Sequence, residues 1–237
     1  MSVLLITGTG TGVGKTVVTA ALAALAIDRG ASVAVVKPAQ TGVGPDEPGD
    51  LATIAELSGV ADLHEFARFP DPLSPDAAAR HAGLPPLDLD AARREIHDLS
   101  CLRDLVLVEG AGGLLVRYDS GGATMADLAR ALGAPVLVVV EAGLGTLNRT
   151  ALTLEVLANR GLRLEGLVIG AWPDAPDLAA RSNLTDLEAL AARPLSGVLP
   201  AGAGSLDRVA FLTIARASLG PGLGGGFDAA EFARTHR

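Results

Sequence analysis

Thr7-Gly8-Thr9-Gly10-Thr11-Gly12-Val13-Gly14-Lys15-Thr16 is preceded by the apolar run Val3 to Ile6 and followed by the Ala- and Leu-rich segment Val17 to Ile27. That order reads as strand, glycine-rich loop, helix, the context a phosphate-binding loop requires. Glycines at 10, 12 and 14 let the backbone turn tightly enough for several amide N–H groups to face one polyphosphate, with the helix N-terminus behind them. Lys15 adds a point charge for the outer phosphates, and the Thr16 hydroxyl can ligate Mg²⁺. Thr9 stands where the generic pattern G-x-x-x-x-G-K-S/T has its first glycine, and the nearest upstream glycine is Gly8. A mere glycine-rich turn with a surface lysine would not need strand, loop, Gly-Lys-Thr and helix to agree as they do.

The 237-residue chain is long enough for one large α/β domain with a sizeable core. Hydrophobic residues make up 49% but aromatics only 3%, so the core must be built from Ala, Val, Leu and Ile, which suits a parallel sheet covered by helices. No apolar run approaches the roughly 18 residues of a membrane span, and the start lacks the basic region of a signal peptide. The single Cys101 excludes an internal disulfide and favours a reducing compartment, with a buried thiol as the default; a cytoplasmic location is expected. A net charge of −8 argues against nucleic acid or an anionic membrane as the main partner. The cations are unevenly divided, with seventeen arginines but only two lysines, Lys15 and Lys37. Arginine serves wherever a generic cation would do, so a compact ammonium at both positions is expected to have a specific task, chemical more than structural at Lys37.

Ser32 to Val36 reads as a second strand that ends in Lys37-Pro38-Ala39-Gln40-Thr41-Gly42, at the sheet edge where ligands of open α/β sheets sit. Asp50 precedes the helical stretch Leu51 to Leu57 and, from local sequence, is an N-cap. Residues 66 to 88, rich in proline, read as a structured insertion over one edge of the site, and Asp88 to Leu99 as a polar helix. His64, His81 and His97 share no metal-ligand spacing with one another or with Cys101, so surface or capping roles are expected. Leu105-Val106-Leu107-Val108-Glu109-Gly110-Ala111-Gly112-Gly113 is the second strong signal. An unbroken apolar strand that ends in one carboxylate and then glycines is the Walker-B arrangement, its acid reaching Mg²⁺ directly or through water.

Pro135 to Val140 is another buried strand, leading through Glu141-Ala142-Gly143-Leu144-Gly145-Thr146-Leu147-Asn148 into a helix that runs to about Asn159. Thr146 is the expected N-cap there, and the free amides of that helix start could hold an anion. Leu167 to Gly170 and Gly197 to Leu199 read as strands, Asn183 to Ala192 and Val209 to Ala217 as helices, and residues 220–226 as a Gly-rich flexible link to a short terminal segment. The expected fold is α/β: a single-domain P-loop fold over 1–237, with a mostly parallel β-sheet and helices on both faces.

The loop at 7–16, Lys-Pro-Ala-Gln-Thr-Gly at 37–42, Val-Glu-Gly-Ala-Gly-Gly at 108–113 and Gly-Leu-Gly-Thr-Leu-Asn at 143–148 together resemble the dethiobiotin synthetase family, which shares the Thr9 departure. The resemblance covers nearly the whole chain. It implies a ligase of biotin biosynthesis that makes dethiobiotin from 7,8-diaminononanoate, CO₂ and a nucleoside triphosphate, with ATP as co-substrate and Mg²⁺ as cofactor. It also implies that Lys15 and the amides of Gly12, Val13, Gly14, Thr16 and Val17 hold the phosphates, and that Thr16, Asp50 and Glu109 surround Mg²⁺. Under the same resemblance Lys37 and Lys15 are catalytic, Thr41 contacts the carbamate end of the substrate, and Glu109, Gly110, Ala111 and Gly112 lie against nucleotide and substrate. The family's substrate spans a homodimer interface, which assigns the distant carboxylate to Gly145, Thr146, Leu147 and Asn148 of the other copy.

In one place the chain departs from the family pattern. The family commonly has an Asn that reads adenine after the strand at 167–169, where this sequence has Gly170. Gly170, Ala171, Pro200, Ala201 and Gly202 would line the base pocket with backbone groups instead, so tolerance of other nucleotides is expected. Three rival readings are weaker. A partitioning or switch-type ATPase would carry an additional lysine early in the loop, where Gly10 and Thr11 stand, and a basic terminal helix. A cobyrinate-type amidotransferase would need a glutaminase region for which this chain is too short. A non-catalytic nucleotide binder would not need Lys37, Asp50 and Glu109 together.

Overall fold

The computed structural model describes residues 3–236. Its strands are β1 (Val3–Gly8), β2 (Val33–Lys37), β3 (Gln40–Thr41), β4 (Asp62–Glu65), β5 (Arg68–Phe69), β6 (Leu105–Gly113), β7 (Val136–Val140), β8 (Leu164–Trp172) and β9 (Gly197–Pro200). Seven of them form one sheet in the order β4-β2-β6-β1-β7-β8-β9, parallel at every pairing. β3 and β5 make a separate two-stranded ribbon. Strands buried on both faces need no polar alternation. In β1, Val3 and Leu5 point into one core and Leu4 and Ile6 into the other, all nearly or fully inaccessible.

The helices are α1 (Lys15–Asp28), α2 (Asp50–Ser58), α3 (Pro75–Ala82), α4 (Leu89–Leu102), α5 (Met125–Leu132), α6 (Thr146–Asn159), α7 (Leu178–Ala191), α8 (Arg208–Ser218) and α9 (Ala229–His236). α1, α2 and α8 cover one face through Leu22, Ile54 and Phe211, and α4, α5, α6 and α7 contribute Ile96, Met125, Leu157 and Leu184 to the other. α1 is buried along Val18 to Ala26. Its alanines let it lie close to the sheet while α2 and α8 flank it, so this helix lacks the polar stripe of a surface helix.

Several local expectations change. α7 begins at Leu178, not Asn183, because Asp177 caps it by accepting a hydrogen bond from the Ala180 amide at 2.7 Å, and its solvent-facing first turn has no apolar period to read. β4 escapes pattern reading because it is a half-buried, charged edge strand, with Asp62 paired to His64 and Arg103. Cys101 is exposed on α4, not buried. Residues 220–226, expected as a flexible link, carry backbone hydrogen bonds from Gly225 to Gly220 and from Gly226 to Arg216. They lead into α9, whose Phe232 meets Trp172 edge-on at 5.3 Å.

Parallel pairing puts the C-terminal ends of all seven strands at one edge. There the phosphate loop crosses β8 with almost no clearance. A Cβ on Gly170 would stand 2.0 Å from the Val13 carbonyl oxygen, and a Cβ on Gly14, whose φ is +95°, would stand 2.6 Å from the Gly170 oxygen. Gly170 is therefore a packing requirement: position 170 cannot carry a side chain while the loop keeps this path. Gly170→Ala is expected to cost about 1–3 kcal/mol through forced backbone displacement and to weaken nucleotide binding. Chemical denaturation with a parallel nucleotide titration checks it, and an unchanged midpoint would refute the close-packing account.

Candidate active site

The motifs at the ends of β1, β2 and β6 converge on a cavity of about 730 Å³, whose lining includes Gly12, Gly14, Lys15, Thr16, Lys37, Thr41, Asp50, Glu109, Ala111 and Gly112. Pro72, Leu73, Ser74 and Pro75 close one side, so the proline-rich insertion lies over the site as expected. Both lysines of the chain are here, at 7% and 3% exposure.

α1 starts at Gly14 in a left-handed conformation without a side-chain cap, and α6 starts the same way at Gly145. α4, α7 and α8, by contrast, are capped by Asp88, Asp177 and Asp207. Starts of this kind at the ligand edge suit an anion, although at α6 the Thr146 amide already donates to the Gly143 carbonyl at 3.3 Å. Thr146 is consequently not the N-cap: it is the first helical residue, fully buried, its hydroxyl without a hydrogen-bond partner.

Asp50 is not an N-cap either. It is the first residue of α2, and its Oδ2 lies 2.5 Å from Lys37 Nζ. The same ammonium donates to Glu109 Oε1 at 2.8 Å, and Thr16 donates to that oxygen at 3.0 Å. Glu109 is fully buried, and its Oε2 has no hydrogen-bond partner. Burial alone would push the Lys37 pKa down, but the carboxylates of Glu109 and Asp50 hold it above the ordinary lysine value. Lys37 thus has a structural role, since removing it would strand two carboxylates, one wholly inaccessible, at a cost on the order of 3–5 kcal/mol.

Lys15 behaves oppositely. Burial, then the nearby Lys37 charge, lower its pKa to about 8, with Glu109 and Asp50 offsetting part of the shift. Its ammonium donates to the Gly10 carbonyl at 2.8 Å.

Two further residues shape the site. Gln40 Oε1 accepts from the Asp50 amide at 2.9 Å and fixes the start of α2. Tyr118, fully buried, accepts from the Ala111 amide through its hydroxyl at 2.7 Å and holds the stretch of β6 after Glu109. Burial pushes its pKa up to about 12, so it stays a neutral phenol. Gln40 sat inside a recognised motif. Tyr118 carried no signal beyond being the chain's one tyrosine.

The remaining candidates lie apart. Ala171 lines an adjoining cavity of about 340 Å³ with Gly12, Val13, Glu141 and Gly143. Asn183 is spent inside the protein, donating to the carbonyls of Ala142 and Gly143 at 2.7 and 3.0 Å. Pro200 pairs with Trp172, and Ala201 donates to the Trp172 carbonyl, so this corner abuts the same strand end without lining either cavity. Residues 145–148 line neither cavity of their own chain. Among the described residues no group of three or more His, Cys, Asp or Glu could hold a metal ion.

A family model described as an AAA domain matches residues 2–205. The chain is 67% identical over 232 residues to an ATP-dependent dethiobiotin synthetase of Frankia casuarinae, covering 98% of each protein. A synthetase of the same name from Streptomyces coelicolor is 58% identical, covering all of this chain and 99% of its own. The chain belongs to the dethiobiotin synthetase family. Among solved structures, the septum site-determining protein MinD from Pyrococcus horikoshii, complexed with Mg-ADP, has a TM-score of 0.57 at 18% identity, covering 90% of this chain and 92% of that one. That likeness is one of fold. Family membership rests on the synthetases.

Two expectations follow from this geometry. A lysine whose pKa falls from 10.5 to about 8 on folding leaves the folded protein with fewer bound protons than the unfolded chain between those values, so Lys15 adds stability as pH rises through that window. Phosphate binding needs the charged form, and the sign reverses. Nucleotide affinity is expected to fall above about pH 8, approaching about tenfold per unit, with protons taken up on binding. Calorimetry in buffers of different ionisation enthalpy measures that uptake, and its absence at about pH 8.5 to 9 would contradict it. Tyr118→Phe is expected to cost about 1–3 kcal/mol by leaving the buried Ala111 amide unpaired; a denaturation midpoint equal to wild type would remove Tyr118 from this role.

Proposed function

We propose that this chain closes the cyclic urea of dethiobiotin from 7,8-diaminononanoate, CO₂ and a nucleoside triphosphate. The observation that carries the reading is the convergence of Lys15, Thr16, Lys37, Asp50 and Glu109 in one cavity at the phosphate loop, in a chain 67% identical to a named synthetase. One amine of the substrate takes up CO₂ as a carbamate, and the γ-phosphoryl group passes to a carbamate oxygen. The second amine then attacks the carbonyl carbon and expels phosphate. No enzyme nucleophile is needed, and catalysis rests on positioning and charge stabilisation.

In this scheme the amides of Gly12 to Val17 and the Lys15 ammonium bind the phosphates, while Lys37 neutralises carbamate and phosphoryl oxygens. Thr41 holds the carbamate end. The donors also suit Mg²⁺: Thr16, Asp50 and Glu109 offer hard oxygens, and the unpartnered Oε2 of Glu109 is a buried acceptor with nothing else to bind. When bound, Mg²⁺ would spread charge over the β- and γ-phosphate oxygens. Backbone groups around Gly170, Ala171 and Pro200 to Gly202 form the base site in this reading, which supports tolerance of nucleotides other than ATP.

The distant carboxylate is assigned to the helix start at Gly145, Thr146, Leu147 and Asn148 of a second copy, so that a homodimer completes the site. The exposed Leu115, Leu144 and Leu152 beside this loop support a covering surface there. Among the described residues no helix is long and apolar enough to cross a membrane. With the single cysteine, that fits the cytoplasmic setting expected from sequence.

The test is product formation from 7,8-diaminononanoate with bicarbonate and Mg²⁺, with ATP, GTP and CTP in parallel. Dethiobiotin is expected together with released phosphate. Nucleotide binding without dethiobiotin would overturn the synthetase reading in favour of a switch-type ATPase. Lys37→Gln and Lys37→Arg are both expected to lose turnover, the second because a planar fork cannot replace a compact ammonium.

A further inference from the structure

Lys37 Nζ contacts Asp50 Oδ2 at 2.5 Å, Glu109 Oε1 at 2.8 Å and the Gly110 carbonyl at 3.4 Å, which engages all three of its donor hydrogens. Glu109 Oε1 also accepts from Thr16, so both lone pairs of that oxygen are occupied. The three side chains proposed to hold Mg²⁺ thus form one network around Lys37, and the inference below rests on that reading of the metal site. Lys37 is 3% exposed and Glu109 fully buried, so solvent screens little between the ammonium and any cation brought to the same carboxylates.

Charge balance sharpens the point. Asp50 and Glu109 supply two negative charges, which Lys37 and its neighbour Lys15 already match with two positive ones. A divalent ion arriving alone would leave the pocket in positive excess, with Lys37 unable to keep its partners. A divalent ion arriving with a triphosphate brings anionic oxygens along, and the flexible four-carbon stem of Lys37, which lines the cavity, can turn towards them.

We infer that Lys37 is the resident counter-cation of the metal site: it excludes a free divalent ion and is exchanged for one only when nucleotide phosphates arrive with it. The exchange makes metal and nucleotide binding interdependent. It also delivers the ammonium to the phosphoryl end of the cavity at the moment that end fills.

The experiment is Mn²⁺ binding, followed by water-proton relaxation and calorimetry, to wild type, Lys37→Gln, Lys37→Arg and Glu109→Gln without nucleotide. Lys37→Gln is expected to bind Mn²⁺ at least about tenfold more tightly than wild type, while Lys37→Arg, which keeps the charge, stays weak. With a non-hydrolysable triphosphate analogue present, that advantage is expected to disappear. Equal affinity in wild type and Lys37→Gln, both tighter than Glu109→Gln, overturns the inference and leaves the metal reading standing. No saturable Mn²⁺ binding in any of them, even with the analogue, overturns both.

Because Lys37→Gln strands two carboxylates, its melting temperature is measured with and without Mg²⁺. A larger Mg²⁺-induced rise than in wild type supports the exchange, including a variant that folds only with Mg²⁺. An equal rise refutes it.

Discussion

The ammonium of Lys37 between Asp50 and Glu109 is the contact on which the architecture of this site depends. It joins the end of β2 and the middle of β6 to the first residue of α2. A buried ion pair costs desolvation that hydrophobic residues would not, so it is poor economy as a fold stabiliser. It is reasonable under the proposed function, in which those charges serve the chemistry. The fold supplies rigid strand ends on which to hold them.

Around that contact, the neighbouring elements make room for an anion. Gly14 and Gly170 bring the phosphate loop down onto β8 with no side chain between them, while α1 and α6 begin at left-handed glycines with no side-chain cap. α4, α7 and α8 instead close their starts with aspartates. A reaction that passes a phosphoryl group between two oxygen anions needs this more than it needs a nucleophile: fixed dipoles and a few cations already oriented where charge develops. Gln40 and Tyr118 serve the same end from behind, holding the Asp50 and Ala111 amides in place.

Much of this was legible locally. Gly-Lys-Thr after an apolar strand, Glu109 at the end of another and the scarcity of lysine all pointed to the residues that meet in the cavity. Where local reading failed, the tertiary setting had decided the side chain's place. Asp50 reads as an N-cap because an aspartate before an apolar run normally is one, yet its carboxylate lies on Lys37, thirteen residues back in sequence but adjacent in space. Thr146 reads as a cap for the same reason, but Gly145 occupies that role and the hydroxyl is turned inward. The start of α7, the β3–β5 ribbon and the edge strand β4 carried too little apolar pattern to be seen.

The sequence by itself determined the α/β class, the phosphate loop, the strand-end carboxylate and the family, because each is written in residues close together along the chain. Only the tertiary structure decided why position 170 must be glycine, which partners Lys37 and Asp50 take, and that a lone tyrosine supports β6 beyond Glu109. The physical reason is range. Propensity, capping and turn chemistry act over a few residues and leave a local pattern, whereas steric clearance, desolvation and charge pairing depend on which segments the parallel sheet brings side by side.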